Sequence, residues 1–192
     1  MRILTIAVFA CASLVASPTT ANAESASFGI PWRIPLVRLS KHFGRDAMKG
    51  FLRPLVHGYI EFMRDVALKD AQPLTTAEKK HLAEFFPLRL IDRVRVTLLG
   101  VAGLGNSSAG AAAYGPDLIV VKRGHRTLAV LKHEMVHICQ YDKLGIAAFA
   151  QRYAEQLVDT DFVYGKVPFE VEAHRFTASG RGRFSGILGS CE

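Results

Sequence analysis

Beyond its first two dozen residues the chain has no apolar run approaching the roughly 20 residues of a membrane-spanning helix, so no transmembrane segment is expected in its body. It has no internal repeat. Its glycine-rich stretches lack a Gly-Lys-Ser/Thr signature, which discounts nucleotide binding through a phosphate loop. Charge is not clustered either. The net charge is +7, but the 24 Lys and Arg residues are scattered, so the basic balance is read as solubility and no nucleic-acid partner is expected. Association with an acidic surface such as a cell envelope stays open. Cysteine is scarce. Of three, Cys11 lies in the N-terminal apolar stretch with no lipobox before it, which argues against a lipid anchor. Cys139 and Cys191 remain. In an oxidising compartment they can form one disulfide; the alternative is a buried free Cys139 and a loose Cys191.

What is present begins with a targeting segment. Met1-Arg2 gives a basic start, Ile3 to Ala16 is apolar, and Ala21-Asn22-Ala23 supplies small residues where a signal peptidase reads. A signal peptide over residues 1–23, cleaved after Ala23, is therefore expected, and with it a periplasmic or secreted protein. The remainder has the length of one ordinary domain. That domain is expected over residues 24–178, with a basic flexible tail over 179–192 around Gly180-Arg181-Gly182-Arg183.

Pro31 and Pro35 predict an extended start to the domain over residues 24–40. From Lys41 to Leu68 the pattern turns helical. Phe43, Met48, Phe51, Leu52, Leu55, Val56, Tyr59, Phe62, Met63 and Val66 recur at three- and four-residue steps and are read as core. Pro54 predicts a kink or a join there. Thr75 with Glu78 forms a capping box for a helix that ends before Pro87. Val94 to Leu99 alternates with β-branched residues and reads as a strand, as does Asp117 to Val121. Between them Gly100 to Gly115 reads as a flexible connection, either a mobile cleft loop or a linker. A helix is predicted from Thr127 to Leu144 with Gly145 as its C-cap, a second from Ile146 to Leu157, and a third opened by Pro168. Helices, two strands, then helices make an α+β domain, mostly helical, with a small sheet before the Thr127 helix.

That helix carries His133-Glu134-Met135-Val136-His137. Histidines four apart share a helix face, so both imidazoles can bind one metal ion, and the intervening glutamate can act on a water held there. The bland alternative is two structural histidines. A catalytic zinc ion, Zn2+, generally takes three protein ligands. Glu155, Asp159, Asp161, Glu170, Glu172 and His174 lie downstream. Glu155 reaches only with a tight return, whereas the Pro168 helix is far enough along to fold back. On it Glu170 and His174 share a face and Glu172 points away. Glu170 is thus the expected third ligand, with His174 beside it. Alternatively, Glu170 and Glu172 only favour the helix N-terminus electrostatically.

His-Glu-x-x-His followed by Glu-x-x-Ala on a later helix resembles the gluzincin metallopeptidases. The stretches LTTAEKKHLAEFFPLRLIDRVRV (74–96), AAAYGPDLIVV (111–121), LKHEMVHICQYDKLG (131–145) and PFEVEA (168–173) are more closely similar to bacterial HExxH domains associated with extracellular contractile injection systems. The resemblance implies a zincin-like fold, zinc held by His133, His137 and Glu170, and Glu134 as general base. One departure stands: many gluzincins have an aspartate four residues after the ligand glutamate, where this chain has His174. By that chemistry the protein is expected to hydrolyse peptide bonds in a peptide or protein substrate. Tyr114, Tyr141, Tyr164 and His174 are candidate donors to the oxyanion. The Asp117–Val121 strand is either a cleft edge for an extended peptide or plain sheet core. Two other readings are an envelope binding or assembly module on a zincin scaffold and a zinc amidase acting on cell-wall peptide.

Overall fold

The computed structural model describes residues 33–99, 110–179 and 182–191; the expected signal peptide and most of the Gly100–Gly115 connection lie outside them. The chain is α+β. In order come α1 (Arg33–Phe43), α2 (Arg45–Ala67), β1 (Gln72–Pro73), α3 (Thr76–Leu82), α4 (Leu88–Arg93), β2 (Arg95–Leu99), β3 (Ala111–Ala113), β4 (Leu118–Lys122), α5 (Leu128–Asp159), α6 (Pro168–Ser179), β5 (Ser185–Gly186) and β6 (Gly189–Ser190). No helix among the described residues is long and apolar enough to cross a membrane.

Helix α5 is the spine. Leu131, Met135, Val136, Ile138 and Cys139 pack in the cluster shared with α3, α4 and the sheet. Tyr141, Phe149 and Ala150 join α2 and the other sheet face, and Ala154, Leu157 and Val158 join the start of α2. Gly145 breaks it with φ 73° and ψ 164°, a conformation that favours glycine, so the expected pair of helices meets where the sequence put the boundary. The capping box on α3 forms as read: Glu78 N donates to Thr75 Oγ1 at 3.3 Å and Thr75 N to Glu78 Oε2 at 2.7 Å.

The four-stranded sheet runs β1-β2-β4-β3. Strands β2 and β4 are parallel, with Arg95 opposite Leu118. Strand β3 is antiparallel to β4, with Ala111 opposite Val121. Leu118, Ile119, Val120 and Val121 are all buried, as expected of a central strand covered on both faces. This decides between the two roles offered for Asp117–Val121: β4 is sheet core, and the edge beside it is β3. Residues 111–113, read as part of a flexible connection, are strand.

Three other expectations are corrected. Residues 33–40 are helical rather than extended, because Pro35 falls in the first turn of α1, where a backbone N–H has no intrahelical partner to lose. Pro54 does not divide α2, which packs lengthwise on α5; the division falls at Gly44, at φ 86°. And the apolar residues of α2 are not all core. Met48, Leu52, Ile60 and Met63 are buried, but Phe51, Leu55, Tyr59, Phe62 and Val66 are exposed, as is Phe43 at the end of α1. A helix on the surface of a domain buries only its inward stripe, and these residues extend beyond it.

The flexible tail is corrected as well. Residues 182–191 fold back as the β5–β6 hairpin, with Ser185 opposite Ser190. Phe184 and Cys191 are buried in the core, and Cys191 is joined to Cys139 by a disulfide with Cα atoms 5.8 Å apart, within the usual range. The Gly/Arg composition masked these two anchors.

Candidate metal centre

Thr127 caps the start of α5, its Oγ1 accepting from Val130 N at 3.2 Å, and sets the helical phase of the histidine segment. His133 and His137 lie one turn apart on the face toward α6. The chain returns to that face through a tight reversal: Asp161 and Phe162 take φ values of 49° and 58°, and Phe162 N donates to Leu157 O at 2.7 Å. Pro168 then opens α6. Phe169, fully buried, fixes its first turn with its N–H on Gln156 Oε1 at 3.2 Å. Glu170 is thereby aimed at the two imidazoles.

Three atoms converge. His133 Nε2 lies 3.3 Å from His137 Nε2 and 3.4 Å from Glu170 Oε2, and His137 Nε2 lies 3.2 Å from the same oxygen. Three corners of a tetrahedron whose bonds are about 2.0–2.1 Å stand about 3.3–3.4 Å apart, which is the spacing of nitrogen and oxygen ligands around zinc. Among the described residues, these three form the group of His, Cys, Asp and Glu side chains able to hold a metal ion.

The backing of the site fits the same use. His137 Nδ1 lies 2.8 Å from Gln140 Oε1. The Gln140 amide is oriented by its other end, where Nε2 donates to Glu172 Oε2 at 2.7 Å and to Phe169 O at 3.3 Å. Oε1 is then the acceptor and Nδ1 the donor, which turns Nε2 toward His133 and Glu170. Glu170 Oε1 accepts from Tyr153 at 2.8 Å, and its Oε2 accepts from Tyr164.

Electrostatics follow from burial around unlike charges. Burial alone disfavours the Glu170 carboxylate, yet His137 and the donors from His133, His137 and Tyr164 hold it well below the usual carboxylate range. Burial also opposes a charged His137, but Glu170 and Glu134 outweigh it and raise its pKa to about 9. Glu134 shows the opposite balance. Burial pushes its carboxyl up despite His137 and His133. Its Oε2 is buried without any hydrogen-bond partner, an uncommon state for an acidic oxygen.

The remaining sequence candidates divide. Tyr141 donates to Ala113 O at 3.5 Å and stacks on Phe149 at 3.6 Å, and the Tyr114 hydroxyl meets that of Tyr59 at 3.4 Å; both brace β3. Tyr164 and His174 border the ligand set. The His174 ring lies 4.6 Å from that of His133, is exposed on its other side, and has its pKa pushed down by partial burial and by His133. It is not among the three groups whose atoms converge. Glu155, Asp159 and Asp161 pair instead with Arg53 at 2.6 Å, Lys49 at 2.7 Å and Arg45 at 3.4 Å.

No family model, curated protein or solved structure matches this chain.

Sequence reasoning missed Gln140, Tyr153 and the task of Glu172. Gln140 had a signal: three residues after His137, it shares that residue's helix face. Tyr153 had none, since its ring fits the apolar pattern and only its hydroxyl reaches Glu170.

Proposed function

We propose that this protein is a periplasmic or secreted zinc-dependent peptidase of gluzincin type. The observation that carries this reading is the convergence of His133 Nε2, His137 Nε2 and Glu170 Oε2 at 3.2–3.4 Å beside the buried, unpartnered Oε2 of Glu134. Two imidazoles and one carboxylate are a donor set of catalytic zinc sites, with a further position left for substrate or water. Zinc, when bound, supplies a Lewis acid that polarises a carbonyl and makes water nucleophilic near neutral pH.

The chain's own residues do the rest. Gln140 holds His137 in the tautomer that frees Nε2. Tyr153 and Tyr164 hold the Glu170 carboxylate from both oxygens and keep it anionic. Glu134, whose carboxyl burial holds above its ordinary pKa, takes the proton of the attacking water and passes it to the leaving amine. His174, at the border of the three converging groups, is the donor best situated for the developing oxyanion, since the one hydroxyl proton of Tyr164 is given to Glu170.

A second reading has one observation in its favour. The exposed apolar side chains of α2, Phe51, Leu55 and Val66 among them, suit a binding or assembly module at the cell envelope that keeps the scaffold without turnover. Metal analysis and peptide hydrolysis on the mature protein separate the two. The peptidase reading expects one zinc per chain, retained in Glu134→Gln, with hydrolysis reduced at least about 100-fold in that variant. His137→Ala loses the metal. A wild-type protein without zinc overturns the reading, and zinc without turnover on peptide and cell-wall peptide libraries favours the binding module.

A further inference from the structure

The path outward from His137 does not stop at Gln140. Glu172 Oε2 accepts from Gln140 Nε2 at 2.7 Å, and Glu172 Oε1 accepts from the backbone N–H of Ile187, at the turn of the β5–β6 hairpin. Gly186, next to it, lies so close to Glu172 that a Cβ there would overlap the carboxylate. The hairpin is therefore seated on Glu172. Its far end is Cys191, bonded to Cys139, and Cys139 sits on α5 between His137 and Gln140. The chain thus closes a ring from His137 to Gln140, Glu172 and Ile187, then along the hairpin to Cys191 and Cys139, and back to the histidine helix. Every link is a named bond, and the only covalent cross-link in it is the disulfide.

We propose that Gln140 and Glu172 are positioning residues for the metal site and that the Cys139–Cys191 disulfide latches them, so that affinity for zinc depends on its oxidation state. The proposal rests on the zinc reading of His133, His137 and Glu170. With the disulfide closed, the hairpin holds Ile187 N–H on Glu172, Glu172 holds the Gln140 amide, and the amide holds His137 with Nε2 toward the centre. A dithiol reductant opens the latch by supplying two electrons and two protons: the Sγ–Sγ bond breaks, both cysteines become thiols, and the donor closes its own disulfide. Without the covalent tie, the hairpin is held by Phe184, the partly buried Leu188 and a few hydrogen bonds, and the Glu172 carboxylate loses the donor that fixes its second oxygen. Outer partners of metal-binding histidines typically carry about 10–100-fold in metal affinity.

The test is zinc affinity, read by competition with a chromophoric chelator, for the mature protein oxidised and after reduction with a non-chelating phosphine, with far-UV circular dichroism confirming the fold. Reduction is expected to weaken zinc binding about 10-fold or more. Glu172→Ala and Gly186→Ala, both with the disulfide intact, are expected to weaken it comparably, and reduction of Glu172→Ala is expected to add little, since the two act through one path. Arg126→Ala, which cuts an ion pair away from the ring, leaves affinity unchanged. If reduction unfolds the chain, Glu172→Ala and Gly186→Ala decide alone. Unchanged affinity in both variants overturns the proposal, as does a loss on reduction that is equal in wild type and Glu172→Ala. Oxidised wild type that binds no zinc overturns the metal reading itself, a different result from zinc bound equally well in both redox states.

Discussion

Against α2, helix α5 and the turn that follows it are held at the surface by Lys49–Asp159 and Arg53–Glu155 on the helix and Arg45–Asp161 in the turn, pairs in which one or both partners remain substantially exposed to water. Toward α6 and the C-terminal hairpin the contacts are buried or partly buried: Gln140 on Glu172 and Phe169, Tyr153 and Tyr164 on Glu170, Phe184 in the core, and one disulfide. Both flanks bury apolar side chains. They differ in whether polar contacts are solvated. Exposed ion pairs gain little because water competes for each charge, whereas a buried, fully partnered network fixes side-chain geometry and is costly to break. The converging His133, His137 and Glu170 stand on the second flank, where positions are held; the first flank leaves apolar side chains in solvent.

The sharpest way to break this comparison is to remove the disulfide. It closes a loop with a sequence separation of 52, for which chain entropy alone gives about 4 kcal/mol of stabilisation. Cys139→Ser with Cys191→Ser is therefore expected to lower the unfolding free energy by about that amount in urea titration. Next is Phe184→Ala. The ring meets Phe86 and Phe176 at centroid distances of 5.8 and 4.9 Å, and truncation of a buried aromatic costs about 3 kcal/mol or more. If residues 182–191 were only a tail, neither substitution would move the urea midpoint.

These expectations concern the part of the fold that the sequence hid most completely, and the reason is physical. A helix converts spacing into direction, so His133, His137 and Glu170 could be aimed from sequence alone, and Thr75 with Glu78 is a local device that needs no distant partner. Short elements lack that leverage. Helix α4 has six residues, fewer than two full turns, and β3 is three alanines with no preference for strand. Phe184 and Cys191 are single anchors among glycines and arginines, and their partners Phe85, Phe86 and Cys139 are far away in sequence. Gln140 could be placed on the right helix face, but the groups that orient its amide come from α6. What local periodicity cannot carry is the identity of a partner brought in by tertiary folding.

A smaller effect sharpens the comparison at its boundary. Glu78 caps α3 and also receives Arg126 Nε and Nη2 at 2.7 and 2.8 Å, tying α3 to the start of α5 in a partly buried pair. Glu78→Ala loses a cap and a forked ion pair together, an expected cost of about 1–2 kcal/mol. The pH dependence has a definite sign. Arg126 lowers the Glu78 pKa from its ordinary value, so the unfolded chain binds this proton more readily. The stabilisation is complete above the unfolded carboxylate range, about pH 4–5, and is lost as pH falls through the depressed folded value. Glu78→Gln should accordingly flatten the acid limb of the stability curve while changing the alkaline limb little.

The smallest effect belongs to the α2 flank. Arg53 Nη2 lies 2.6 Å from Glu155 Oε1, the shortest of the three pairs there, and by distance alone it looks the strongest. Exposure argues otherwise: the Arg53 side chain is 43% accessible, so water and salt screen the attraction and the ordered side chain gives back part of the gain as entropy. Arg53→Ala is expected to cost less than about 1 kcal/mol, with the difference from wild type shrinking as salt rises from about 50 mM toward about 1 M. It should leave zinc affinity untouched, because nothing in the chain of contacts behind His137 passes through α2. A cost matching that of Glu78→Ala, or one insensitive to salt, would mean that the two flanks are held by the same physics after all.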